Sequence, residues 1–238
     1  MVDIQRSPET DKEVYDICRG WLDKKRAGIH VSDLQAPRLA YLKKIYGNRI
    51  SDKQVGMFIS GIAIHGIIES LAIKWGDTKE KKIEMEGIYG SVDCTRGGLP
   101  VEVKSSRAWK SDMVSDEYVK QLKMYCTIMN KTKGYIIIFF LNVKEDVVYE
   151  DGTSETVYGP KIVCHEVNFT EDELKAEKEI MINNKDVLAF ALNNKDPSNL
   201  PKCAKWKCKD CGYKVECKEI DQPKIIPVEG SNLTFVGK

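Results

Sequence analysis

Asp93, Glu102 and Lys104 are the side chains of this 238-residue sequence whose types and spacing most directly imply chemistry. On a strand, Glu102 and Lys104 project from one face while Val101 and Val103 project from the other. Asp93 precedes the break Thr95-Arg96-Gly97-Gly98, and closing a hairpin there brings its carboxylate beside Glu102. Two carboxylates held close repel unless a cation sits between them. Oxygen donors favour a hard divalent ion, Mg2+ or Mn2+. A lysine beside such a pair can orient a water or steady a phosphate, and the metal acidifies water and polarises a phosphoryl oxygen. The implied reaction is phosphodiester hydrolysis. An acid, a gap and Glu-x-Lys also arise by chance in charged strands, so the neighbouring motifs matter.

Three neighbours bear on that chemistry. In "GIAIHGIIES", Gly61, His65 and Glu69 stand at four-residue steps on one helix face. His65 is a reasonable nitrogen ligand for Mn2+, and among isoleucines it is equally a core histidine with satisfied hydrogen bonds. In "QLKMY", Gln121 and Tyr125 share a helix face, where they could hydrogen-bond to DNA or to Lys104 or form an ordinary surface pair. Cys203, Cys208, Cys211 and Cys217 fall within fifteen residues, "CAKWKCKDCGYKVEC". In a reducing compartment that favours a metal site over disulfides, and four thiolates suit either a [4Fe-4S] cluster or tetrahedral Zn2+. Cys94, Cys126 and Cys164 read as small core residues.

The elements that must position these groups are legible as changes of hydrophobic period. Helices are expected first. "SPETDKEVYDICRGWLDKKRAG" has Ser7 as cap and Pro8 at the first helical position, and "VSDLQAPRLAYLKKIYG" opens with a Ser32/Gln35 capping box and tolerates Pro37 in its first turns. "SDKQVGMFISGIAIHGIIESLAIKWG" opens with a Ser51/Gln54 box and ends near Gly76. The period then changes to two. "KKIEMEGIYGSVDCT" and "LPVEVKSS" form a hairpin, followed by the amphipathic helix "SDEYVKQLKMYCTIMNK". Next come the strand "GYIIIFFLNV", a hairpin across "VYEDGTSETVYGPKIVCHEV", and a helix from a Thr170/Glu173 capping box. "KDPSNLP" reads as a linker into the cysteine segment.

Composition excludes several classes. Hydrophobic content of 42% and charged content of 31% are ordinary for a globular protein, against disorder or a coiled coil. The longest apolar run, Tyr135 to Leu141, is far short of a membrane helix, and "MVDIQRSPETDKEVYD" has no apolar secretory segment. A cytoplasmic protein without membrane partners is expected. A net charge of +1 gives no global field for nucleic acid, so such a partner must meet a local basic patch. Lysines 202, 205, 207, 209, 214 and 218 surround the cysteines, and Arg96, Arg107 and Lys110 flank the Asp93 hairpin; either set is also readable as a solvated charged face.

The ordered set "GIAIH", "GSVD", "EVK", "QLKMY" and "CKDCGYKVEC" resembles the RecB-like branch of the PD-(D/E)xK nucleases, closest to the CRISPR-associated exonuclease family and its viral relatives. The resemblance spans roughly Ser32 to Cys217. It implies an α/β fold: a restriction-endonuclease-like core, in which helices flank a mixed sheet, with a helical N-terminal part and a C-terminal cysteine metal site. The parts are then 1–76 helical, 77–196 nuclease core, 197–218 cysteine segment and 219–238 tail. By the same resemblance His65, Asp93, Glu102 and the Val103 carbonyl hold the metal, Lys104 is the catalytic lysine, and Gln121 and Tyr125 support it. The implied substrate is DNA, chiefly single-stranded and often cut from an end, with integrase or recombination proteins as partners. Cys208, Cys211 and Cys217 match the family's iron-sulfur ligands, whereas its N-terminal cysteine position holds Ala36; Cys203 is the substitute, with Cys18 second. The rivals are a catalytically inactive DNA-binding or adaptor subunit and a duplex-specific endonuclease.

Overall fold

Glycines and caps set the punctuation of the chain. The computed structural model describes residues 8–22, 26–75, 77, 79–108 and 114–221. Helix α1 (Pro8–Leu22) opens on its proline, which costs no hydrogen bond at a first helical position. Strand β1 (Ile29–His30) leads into α2 (Val31–Leu34), and α3 (Pro37–Tyr46) follows. The single helix expected over 31–47 is therefore two. Pro37 disfavours helical backbone at the residue before it, and Ala36 sits at φ −148° and ψ 70°. The expected Ser32/Gln35 box is also replaced: the His30 N–H donates to Asp33 Oδ2 at 3.0 Å, which frees Gln35 for a partner on another helix.

Helix α4 (Asp52–Trp75) starts as its sequence predicts. The Ser51 N–H donates to Gln54 Oε1 at 2.9 Å, and the Gln54 N–H donates back to Ser51 Oγ at 3.3 Å. The alternating stretch that follows is two strands rather than one, β2 (Lys79–Met85) and β3 (Ile88–Arg96). They are joined by Glu86-Gly87, both at positive φ (52° and 74°), the backbone of a two-residue hairpin turn. Gly97-Gly98, at 58° and 74°, make the next such turn into β4 (Leu99–Ser106).

After β4 the chain returns through α5 (Asp116–Met129) to β5 (Lys133–Val148), which lies parallel to β4. A long antiparallel hairpin carries β5 into β6 (Ser154–Asn168), and α6 (Glu171–Asn194) starts with the predicted box, Thr170 with Glu173. A short 3-10 turn (Lys205–Cys208) and α7 (Lys214–Ile220) complete the described chain. The six-stranded sheet runs β1-β3-β4-β5-β6, with β2 paired to β3. It is a mixed sheet flanked by helices, as expected from the sequence.

Two apolar layers clamp the sheet. On one face Ile64 and Ala72 of α4 pack on Cys94, Val101, Val103, Ile137 and Phe139. On the other, Leu122 and Cys126 of α5 pack on Ile136, Ile138 and Phe140. Cys94 and Cys126 are the core residues they were expected to be, while Cys164 is exposed on β6. Among the described residues no helix is long and apolar enough to cross a membrane. A third cluster joins Ala40, Tyr41 and Leu42 of α3 to Leu188 and Ala191 of α6, with Leu200 and Tyr213 from the C-terminal stretch.

Candidate active site

Beyond the Gly97-Gly98 turn, β3 and β4 pair only from Arg96↔Leu99 to Cys94↔Val101. At the next step the strands part, and a side chain takes over the ladder: the Val103 N–H donates to Asp93 Oδ2 at 2.8 Å. Ladder pairing pins β4 on its other side, where Glu102, Val103 and Lys104 lie opposite Ile136, Ile137 and Ile138 of β5. Asp93 is thus fixed by backbone, on the strand next to Glu102.

Glu102 is only 1% exposed, although its strand face was read as the polar one. Its carboxylate meets the ammonium of Lys104 as an ion pair, yet neither oxygen accepts a hydrogen bond of ordinary geometry. Burial, then the charge of Asp93, push its carboxyl up to about 7 against the pull of Lys104. Lys104 is also shifted upward, which for a lysine favours the charged form. Burial works against its charge, but Glu102 outweighs it and holds the ammonium above its ordinary value. The Lys104 side chain keeps 25% exposure.

Helix α5 lies over this face of β4. Its Gln121 Nε2 donates to the Tyr125 hydroxyl at 2.9 Å, so the two predicted helper residues bind each other. Burial, then Glu102, drive the Tyr125 phenol well above its ordinary range and keep it neutral. Gln35 of the α2–α3 junction was missed as a site residue. Its Nε2 donates to Gln121 Oε1 at 3.4 Å and to the Glu117 carbonyl at 3.3 Å. Nothing in its sequence spacing connects it to α5. Tyr118 was also missed, although it stands three residues before Gln121 on the same helix stripe; Lys104 Nζ lies 5.8 Å from the centre of its ring.

Of the remaining predicted residues, His65 lies on α4, but its side chain falls outside the described residues, as do Lys110 and residues 222–238. An ideal Cβ at Gly61, one turn before His65, comes within 3.8 Å of Ser105 Oγ, so this part of α4 runs along the end of β4.

The donor set at Asp93 and Glu102 fits a hard divalent cation. The buried Glu102 carboxylate has its Oε1 against Lys104, no hydrogen bond at Oε2 and a second carboxylate, Asp93, in charge contact, which is the oxygen-rich surrounding such an ion takes. Among the described residues, no group of three or more His, Cys, Asp or Glu side chains converges closely enough to hold a metal, so these two carboxylates stand as a pair.

The expected cysteine site gains no support from the same observation. Among the described residues Cys203, Cys208, Cys211 and Cys217 form no group of three or more that could hold a metal, although Cys203 lies in charge contact with Cys217 and Cys208, and Cys18 is buried on α1. Cys211 and Cys217 instead pack against the apolar cluster of Leu200, Tyr213 and Leu188, and Cys208 is exposed. No step is assigned to a cluster.

The expected basic patch is partly neutralised. Lys207 pairs with Glu117 at 2.7 Å, Lys202 with Asp221 at 2.9 Å, and Lys214 donates to the Lys209 carbonyl. Lys205, Lys209 and Lys218 are exposed.

The fold is an α/β core, a mixed sheet flanked by helices, with an acid pair and a lysine where adjacent strands part. No family model matches the chain, and no curated protein does. Among solved structures, one described as SSO0001 has a TM-score of 0.55 at 21% identity, covering 88% of this chain and 94% of its own. An alkaline exonuclease from Laribacter hongkongensis, LHK-Exo, has a TM-score of 0.47 at 13% identity over 77% of this chain and 95% of its own. A phage-related exonuclease from Haemophilus somnus 129PT has a TM-score of 0.45 at 14% identity over 81% and 91%. The first is a likeness of fold; the two exonucleases superpose too loosely to add to it.

Proposed function

We propose that the protein is a metal-dependent DNA nuclease that hydrolyses phosphodiester bonds at Asp93, Glu102 and Lys104. The observation that carries this reading is the Glu102 carboxylate: buried, in the field of a second acid, and with only a charged lysine as its partner. A purely structural ion pair at this depth is weak support for a fold, because desolvation cancels most of its attraction. A cation site explains the arrangement instead.

Asp93, Glu102 and the Val103 carbonyl would hold Mg2+ or Mn2+, with His65 as the fourth ligand by resemblance. When bound, the ion supplies charge neutralisation at the phosphoryl oxygens and acidifies water. The chain's own groups do the rest. The Val103 N–H keeps Asp93 from rotating away. Lys104, held protonated by Glu102, donates to a phosphate oxygen and opposes the charge that builds up as phosphorus is attacked. The Gln121–Tyr125 pair closes the site on the helix side and keeps bulk water off Glu102. The resemblance adds single-stranded DNA as the preferred substrate, cleavage from an end, and an integrase or recombination partner.

The test is end-labelled single-stranded and duplex DNA incubated with the protein and Mn2+, Mg2+ or EDTA, resolved on a denaturing gel. Shortening of the single strand only with metal is expected, with cleavage abolished in Glu102→Ala and Lys104→Ala proteins that keep their circular dichroism. Cleavage that survives both substitutions rejects the assignment. Tight metal-independent binding of uncut DNA returns the protein to the class of binding or adaptor subunits.

A further inference from the structure

A lysine stem has four rotatable bonds, and an ion pair at its tip leaves the ammonium free to swing about the carboxylate. Lys104 has a second contact. Its Nζ lies 5.8 Å from the ring centre of Tyr118, within the range where an aromatic face attracts a cation. The ring is itself fixed. Tyr118 is half-buried and packs on the cluster of Leu122, Ile136 and Ile138, and its N–H donates to the carbonyl of Ser115, the residue that caps α5. Burial, the largest influence, raises the Tyr118 phenol, so the ring meets Lys104 as a neutral π-face rather than as a phenolate.

The two holds on Lys104 are not equivalent once a cation enters. Glu102 is a ligand of the proposed metal, and any share of its charge taken by a divalent ion is lost to Lys104. The same ion repels the ammonium. The Tyr118 ring donates nothing to the metal, so its grip persists when that of Glu102 weakens. We propose that Tyr118 is a positioning residue for Lys104, keeping the ammonium beside the acid pair in the metal-loaded protein through its aromatic face and not its hydroxyl. This rests on the nuclease reading for its kinetic consequence but not for its geometry.

Two variants separate the ring from the hydroxyl: Tyr118→Phe keeps the face, and Tyr118→Leu keeps the apolar bulk alone. The geometric readout is the side-chain methylene signal of Lys104 in lysine-labelled protein, identified by its loss in Lys104→Gln. An aromatic face shields protons above it, so the signal is expected upfield in wild type and Tyr118→Phe, normal in Tyr118→Leu, and still upfield after Mg2+ is added. The kinetic readout is cleavage of single-stranded DNA. Tyr118→Leu is expected to lose about tenfold in kcat with KM unchanged, the rate equivalent of ~1.4 kcal/mol, and Tyr118→Phe to stay within about twofold of wild type. An unshielded Lys104 in an active wild-type protein overturns the role of Tyr118 and leaves the nuclease reading intact. Equal losses in both variants overturn it as well, since the hydroxyl would then be the working group. A shielded Lys104 in a wild-type protein that cuts no DNA rejects the nuclease reading, and with it the kinetic role, while confirming the placement.

Discussion

Glu102 is held where a carboxylate ionises reluctantly, and that has a measurable consequence for stability. An ordinary glutamate ionises near 4.5, whereas the folded chain keeps the Glu102 proton to about 7 because of burial and then Asp93. Between those values the unfolded state gives up a proton that the folded state retains, so the metal-free protein loses stability as pH rises. The loss is up to about 3 kcal/mol and is complete above pH 7. In EDTA, the melting temperature of wild type relative to Glu102→Gln is expected to fall from pH 5 to pH 7.5; a constant difference would mean that Glu102 ionises as it does in water. Mg2+ is expected to act oppositely, raising the wild-type melting temperature more at pH 8 than at pH 5, because the cation selects the ionised carboxylate.

At the scale of elements, α5 and the β2–β3 hairpin are fitted to one another through Gly90. A Cβ added there would fall 2.8 Å from Ile83 Cγ1 and 3.3 Å from Tyr125 Cε1. Gly90→Ala is therefore expected to destabilise the protein by about 1–3 kcal/mol and to reduce cleavage beyond what the lost stability explains, since Tyr125 must shift from beside Glu102. A denaturant melt and an activity assay well below the melting transition together check both parts. By contrast α6 opens remote from the acid pair, with Thr170 Oγ1 accepting from the Glu173 N–H at 3.2 Å and Glu173 Oε2 accepting from the Thr170 N–H at 2.8 Å. Thr170→Ala should cost about 1 kcal/mol and leave kcat unchanged.

Across the whole molecule, the buried cation Arg38 of α3 is one of the ties between the N-terminal helices and the C-terminal stretch. Arg38 is 3% exposed, donates twice to the Leu200 carbonyl at 2.7 and 3.1 Å, and pairs with Asp221 at 2.6 Å. Tyr213 supports it from the same stretch, accepting from the Arg49 N–H at 3.0 Å. Arg38→Ala leaves a buried carbonyl without donors and should cost about 3 kcal/mol. The stretch between Asn194 and Cys203 would become the first site of limited proteolysis; unchanged digestion would mean that the apolar cluster of Leu200 and Tyr213 holds the stretch unaided.

The sequence by itself determined what depends on local period and local caps. Gly97-Gly98, the alternation of Val101 to Lys104, the Ser51/Gln54 and Thr170/Glu173 boxes and the apolar run from Tyr135 are short-range signals, and each formed as written. The acid pair and lysine were legible for the same reason: a strand puts residues two apart on one face. Propensity gave way where a neighbour won, as when Pro37 split one helix into two and Glu86-Gly87 divided one strand into a hairpin. Only the tertiary structure decided the rest. The depth of Glu102, the Asp93 carboxylate standing in for a ladder bond, the Gln35 link to α5 and the Tyr118 ring over Lys104 all join residues distant in sequence. Spacing along a chain fixes which face a side chain takes, but burial and partners come from elements that spacing does not relate.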